Sequence, residues 1–270
     1  MSRLHIVRNL NGLLKKFGWI LIKNRRTESP CDDGIRINIG SGDWTNDGWT
    51  NLDYPSDWYK NAQKKHKIIP YDIRNDALPF PDNSVTSVYC SHVIEHIENK
   101  FIEHLFSEIY RVLKPGGCAR ICCPDAEFLY QVARSDTSEF WSWRNEWYRS
   151  AYYDGPAPRP VDYLVREVAT PKLLYYKDSI NHDDYIEQFN NMTMVEFFEF
   201  LTKDLAFRDT CVGDHINYWT FDKMQKMLAS AGFRTIVRSK WSGSLFKDMQ
   251  DMEKFDVVCP NMSLYVEVIK

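Results

Sequence analysis

Arg36-Ile37-Asn38-Ile39-Gly40-Ser41-Gly42, followed by Asn51-Leu52-Asp53, is the stretch that decides how this chain folds. Ile37 and Ile39 form a short β-branched run of the kind found in buried strands. Gly40 and Gly42 let the backbone turn sharply and approach a ligand with no Cβ in the way. Asp53 ends a second short segment, Trp49-Thr50-Asn51-Leu52-Asp53. A carboxylate at the tip of the neighbouring strand suits a pair of ribose hydroxyls, as in dinucleotide folds. Together these residues point to an adenosine-containing cofactor held beyond the ends of two strands.

Outward from this stretch, strand and helix signals alternate. Residues 67–72 read as a third extended segment, 85–90 as a fourth strand and 118–123 as a fifth. Between the last two, Leu105, Ile109 and Val112 share one face of a helix over 103–113. Pro115-Gly116-Gly117 is expected to stop it. This rhythm implies a parallel sheet with helices on both faces. It breaks over 126–214, where many Trp and Tyr residues, among them Trp141, Trp147, Tyr152 and Tyr163, accompany Pro156, Pro158 and Pro160. That region reads as an inserted helical lid. The pattern resumes with a helix from Thr220, a plausible N-cap, to Ser230, then strands over 234–239 and 262–269. The expected organisation is a basic amphipathic helix in 1–30, a cofactor-binding α/β half in 31–125, a lid or acceptor insertion in 126–214 and completion of the α/β domain in 215–270.

Composition narrows the function classes. With 270 residues, 44% hydrophobic and 26% charged, the chain can bury an ordinary globular core. A net charge of −3 argues against non-specific nucleic-acid binding. The cysteines at 31, 90, 118, 122, 123, 211 and 259 form no C-x-x-C, and four lie in apolar strand-like runs. They read as reduced thiols of a cytoplasmic protein, not as a disulfide framework. No run of 18 apolar residues is present, so no transmembrane helix is expected. Leu10, Leu13, Leu14, Phe17 and Leu21, flanked by Lys15, Lys16, Arg25 and Arg26, make a basic amphipathic helix. Docking on its own domain or on a partner subunit is favoured over peripheral contact with the inner face of a membrane, and homo-oligomerisation stays open.

Four stretches carry a resemblance: RINIGSGDWTNDGWTNLD, YDIRNDALPFPDNSVTSVYCSHVIEHI, RVLKPGGCARICCPD and GDHINYWTFDKMQKMLASAGF. In that order they resemble the class I S-adenosylmethionine-dependent methyltransferases, in particular the subgroup found in bacterial polysaccharide and lipopolysaccharide biosynthesis. The resemblance covers about 35–125 and 213–270. It implies an α/β, doubly wound, Rossmann-like, seven-stranded, mostly parallel sheet, with the helical, aromatic-rich insertion after the fifth strand. It implies S-adenosyl-L-methionine as cofactor, with Asn38, Gly40, Ser41 and Gly42 under its methionine part. Asp53 would accept both ribose hydroxyls, Asp72 and Ile73 would hold the adenine, and Ser91 and His92 would line the sulfonium side. Many relatives carry a third glycine where this chain has Trp44 and Thr45.

An O-methyltransferase acting on a sugar hydroxyl of a cell-surface glycan or its precursor is the expected activity. A small-molecule enzyme acting on a quinone or phenol, and a catalytically inactive cofactor-binding subunit, are the alternatives. A hydroxyl acceptor benefits from a general base, and histidine is suited to that at neutral pH. His215, Asp125 and His96 are the acceptor-side candidates. Core histidine and helix N-cap are equally good readings of His215 and Asp125. His92-Val93-Ile94-Glu95-His96 spells H-x-x-E-H, a zinc-peptidase spacing. Its place after a buried strand favours a pocket-shaping role for Glu95 and His96, and no metal is assigned.

Overall fold

The computed structural model describes residues 34–270 apart from 45, 58–59, 62–63, 65–66, 136–137 and 182. The amphipathic helix expected in 1–30 lies outside the described residues. Seven strands form one sheet: β1 (Ile35–Ile39), β2 (Trp49–Asp53), β3 (Ile69–Pro70), β4 (Val85–Ser91), β5 (Leu113–Pro124), β6 (Thr235–Arg238) and β7 (Ser263–Ile269). Their spatial order is β3-β2-β1-β4-β5-β7-β6. Neighbours among β1 to β5 pair parallel, whereas β7 runs antiparallel to both β5 and β6. This is the expected seven-stranded, mostly parallel doubly wound sheet.

Strands covered on both faces read as continuous apolar runs. β4 is buried from Val85 to Cys90, and Ile37, Ile39, Leu52 and Ile121 are fully buried. Helix α1 (Asn99–Val112) lays Leu105, Phe106 and Ile109 against the sheet. It ends sooner than Pro115-Gly116-Gly117 suggests. Leu113 already has extended dihedrals, φ −63° and ψ 136°. Lys114 precedes a proline, which disfavours helix. The Pro-Gly-Gly run therefore sits inside the span of β5, where Gly116 takes φ 81° and donates its N–H to the carbonyl of Lys270 at 2.9 Å.

Between β5 and β6 lie α2 (Ala126–Arg134), α3 (Ser138–Trp141), α4 (Asn145–Ala151), α5 (Pro160–Ala169), α6 (Ile186–Asn191), α7 (Met194–Thr202) and α8 (Phe221–Ser230). Helices α2 to α7 form the insertion and build a second apolar core around Trp141, Tyr148, Leu164, Phe197 and Phe198. Trp141 stacks on Tyr163 at 5.0 Å and 8°. Much of the insertion's aromatic content is thus its own core. Helix α5 is buried from Val161 to Ala169, Arg166 and Glu167 included. Thr220 caps α8 through the N–H of Lys223, as its sequence suggests. No helix of the described residues is long and apolar enough to cross a membrane.

Candidate functional site

The parallel strands end on one side of the sheet, where ligands of open α/β sheets bind. A cavity of about 780 Å³ opens there, lined by Asn38, Gly40, Ser41 and Gly42 at the end of β1, Asp53 at the end of β2, Asp72 and Ile73 after β3, and Ser91 and His92 at the end of β4. All nine residues expected to hold the cofactor are thereby brought together.

Gly40 adopts φ +70°, and a Cβ there would stand 2.1 Å from a methyl of Val93. Only glycine fits this turn without moving the neighbouring segment. Asp53 fixes the loop from across the strand ends, its carboxylate accepting the N–H of Gly42 at 2.6 Å and of Tyr54 at 2.7 Å. Burial pushes the Asp53 carboxyl up, and these two bonds oppose the shift. Each oxygen keeps one acceptor position for a ligand hydroxyl. The buried Ser41 hydroxyl has no partner. Trp44, which stands near the missing glycine, turns its ring into an aromatic cluster with Tyr89 at 5.9 Å and Phe255 at 5.5 Å. Its indole N–H donates to the Lys254 carbonyl. The loop is closed by packing in place of a third glycine. Thr45 lies outside the described residues.

Asp72 is placed in the cavity wall with its carboxylate already engaged. Oδ1 accepts Arg74 N and Nε at 2.9 and 3.0 Å, and Oδ2 accepts Arg74 Nη2 and Asn75 Nδ2 at 2.9 and 2.8 Å. Partial burial tends to raise its pKa, but the Arg74 fork holds it below the usual carboxylate range. All four lone-pair positions are in use. The contact expected between Asp72 and the adenine amine is therefore not available in this arrangement. Arg74 itself lies over Phe207 at 4.0 Å, closing that end of the cavity with a residue of the insertion's return.

A second cavity of about 510 Å³ adjoins the first and shares His92, His96, Trp147, Tyr152, Gly213 and Val258 with it. Arg144 and Arg166 line only this second one. His92, in left-handed backbone at φ 55°, places Nδ1 3.0 Å from Glu95 and Nε2 2.8 Å from the Ser263 hydroxyl. Burial pulls the fully enclosed Glu95 upward, but the His92 contact and the neighbouring imidazoles hold it below its ordinary value. His96 Nδ1 lies 2.8 Å from the Asp214 carbonyl. A carbonyl only accepts, so Nδ1 carries the proton and Nε2 keeps its lone pair.

His215 and Asp125 sit differently from His96. The His215 ring meets that of His96 edge-on at 4.8 Å. Its Nδ1 donates to the Glu167 carbonyl at 2.8 Å, and Nε2 accepts from Arg166 Nη1 at 3.2 Å. Burial, reinforced by Arg166, holds its pKa well below the usual value. The lone pair a base would use is already occupied. Asp125 lines neither cavity. One oxygen caps α2 through Phe128 N at 3.1 Å and the other takes Arg238 at 2.7 Å. Its helix-cap reading is the one the geometry expresses. Glu95, His96 and His215 bring ligand-type atoms within 4.8 Å of one another. A guanidinium on His215 Nε2 disfavours a second cation there.

Sequence reasoning missed Arg144, Arg166 and Glu167. Arg144 Nε bonds Glu167 at 3.0 Å and Arg166 Nη1 bonds it at 2.8 Å. One signal was available: Arg166-Glu167 interrupts an apolar run, Tyr163-Leu164-Val165 before it and Val168-Ala169 after it. A charged pair in such a run is buried and needs partners.

Residues 48–121 match the family model described as a methyltransferase domain. Over 58 residues the chain is 41% identical to the sterol 24-C-methyltransferase of Pneumocystis carinii (strain B80), a match that takes in 22% of this chain and 14% of that protein. Among solved structures, a SAM-dependent methyltransferase from Archaeoglobus fulgidus aligns at 12% identity over 97% of this chain and 94% of its own, with a TM-score of 0.45. An S-adenosylmethionine-dependent methyltransferase from Mesorhizobium loti aligns at 13% identity over 87% and 90%, with a TM-score of 0.43. Over residues 48–121 the chain is thus similar to a methyltransferase domain.

Proposed function

We propose that this methyltransferase domain serves an O-methyltransferase whose acceptor is a sugar hydroxyl of a cell-surface glycan or its precursor. The observation that carries the reading is the pair of adjoining cavities with His96 in the wall of both. The strand-end cavity fits the cofactor: its buried, unpartnered Ser41 hydroxyl and the free acceptor positions of Asp53 await polar ligand groups. In this reading Asp53 takes the ribose hydroxyls, Ile73 flanks the adenine, and the 40–42 loop with Ser91 and His92 encloses the methionine end. When bound there, S-adenosylmethionine would supply a sulfonium-activated methyl group for the acceptor oxygen.

The chain's own work is positioning and proton transfer. Positioning alone supplies up to roughly 7–11 kcal/mol of such a barrier. His96 Nε2 accepts the proton of the acceptor hydroxyl while Nδ1–H stays on the Asp214 carbonyl. His215 packs the base in place. Trp143, Trp147 and Tyr152 line the second cavity and give it an aromatic wall against which a sugar would pack.

Calorimetry with S-adenosylhomocysteine and methyl transfer from labelled cofactor test this reading. Micromolar binding and label on glycan extracts are expected. Label on quinone or phenol precursors instead would replace the sugar, and binding with no labelled acceptor would favour a non-catalytic subunit.

A further inference from the structure

We propose that the acceptor carries an oxyanion, a carboxylate or a phosphate, which Arg144 and Arg166 bind in the second cavity. The inference rests on the methyltransferase reading and deepens it by naming the acceptor's chemistry. Both guanidiniums are buried, with side chains 9% and 4% exposed, and they share one carboxylate, Glu167. Glu95 and Asp214 stand behind this cavity and are not part of its lining. Glu95 lies 3.0 Å from His92 Nδ1. Asp214 is taken by Arg208 and by the Tyr176 hydroxyl. His215 is held neutral by burial and by Arg166. Two buried guanidiniums share one hydrogen-bonded carboxylate, in a place where charge needs partners.

The hydrogen bonds leave the same vacancy. Arg166 Nη1 serves Glu167 and His215, the guanidinium also meets the Tyr152 hydroxyl, and the buried Nε has no hydrogen-bond partner. Arg144 Nη1 meets only the Cys259 sulfur at 3.1 Å, a weak acceptor. Aromatic faces hold the forks in place: Arg144 lies 4.1 Å from the Trp147 centroid, and Arg166 lies 4.3 Å from that of Tyr152. A guanidinium stacked on a ring keeps its N–H edge free for the planar, two-point recognition of an oxyanion. The cofactor's own carboxylate is the competing occupant. Against it, neither arginine lines the cavity that holds the 40–42 loop and Asp53.

The test titrates glucose, glucuronate and glucose 1-phosphate into the full chain saturated with S-adenosylhomocysteine, followed by calorimetry. Glucuronate or glucose 1-phosphate should bind at least about tenfold tighter than glucose, as expected when a charged group gains a charged hydrogen-bond partner. The tighter of the two identifies the anion. Arg144→Gln and Arg166→Gln should each remove the preference, and Arg144→Lys should keep part of it. A far-ultraviolet circular dichroism spectrum and a cooperative urea melt like the parent's mark a variant as folded. Equal binding of the three sugars, absence of binding by either anion, or a preference that survives both glutamine variants overturns the proposal. Loss of S-adenosylhomocysteine binding in otherwise folded arginine variants also overturns it, because the arginines would then hold the cofactor. Failure of the parent chain to bind S-adenosylhomocysteine sinks the methyltransferase reading itself.

Discussion

The two cavities are built in opposite ways. The side proposed for the cofactor is made of strand ends, and its decisive bonds run to backbone: Asp53 to the N–H groups of Gly42 and Tyr54, Gly40 N to the Leu52 carbonyl. The side proposed for the acceptor is held largely by side chains bonded to side chains. Arg144 of the 142–144 turn, Arg166 and Glu167 of α5, and His215 before α8 meet across long stretches of sequence. The first arrangement is a property of the sheet and tolerates little change. The second belongs to the insertion and can be retuned without disturbing strand order, as expected where a site is grafted on a common fold.

His96 lies where the two meet, so its substitution tests whether they work as one site. His96→Gln should lower kcat by about 10²–10⁴-fold, the usual contribution of a general base. The affinity for S-adenosylhomocysteine should stay unchanged. Equal losses in both quantities would place His96 on the cofactor side alone.

The side-chain network should also be the more fragile half. Glu167→Gln leaves two buried guanidiniums without their carboxylate, and breaking such a pair costs about 3–5 kcal/mol. Urea unfolding measures it. A loss below about 1 kcal/mol, the worth of an exposed pair, would mean that water reaches these arginines.

The same contrast explains what the sequence revealed. Gly40, Asp53 and the β4 end were legible because short local patterns fix where strands stop and loops turn. Trp44 was not, since its ring packs against Phe255 from the far end of the chain. Arg144, Arg166 and Glu167 escaped notice because pairing across an insertion leaves no spacing to read. Asp125 is tied up by the local helix cap to Phe128 N that its sequence also offers, whereas the Arg166 contact of His215 is one that only the fold brings together.

Within the cofactor half, Asp53 and Asp72 should separate. Asp53 offers unused acceptor positions, whereas the Asp72 carboxylate is consumed by Arg74 and Asn75. Asp53→Ala should weaken S-adenosylhomocysteine binding by roughly 10- to 100-fold, the loss of a charged acceptor worth about 1.5–3 kcal/mol. Asp72→Asn should cost less, through a loosened Arg74. Calorimetry on both variants decides, and the reverse order would mean that the Arg74 pair opens when cofactor enters.

The smallest effect expected is a pH dependence written into the acceptor half. His215 has a folded pKa well below 6.5, because burial and Arg166 exclude its proton. Above pH 6.5 neither the folded nor the unfolded chain protonates it, and its contribution to stability is fully present. As pH falls below 6.5 the unfolded chain takes up a proton that the folded chain refuses. Stability then drops by up to about 1.4 kcal/mol per pH unit until the folded pKa is reached. Urea melts of the parent and His215→Gln between pH 7.5 and 5 should differ in slope by up to one proton. Identical slopes would show that Arg166 yields His215 to the proton, and with it the neutral, lone-pair-occupied imidazole on which the comparison of the two halves relies.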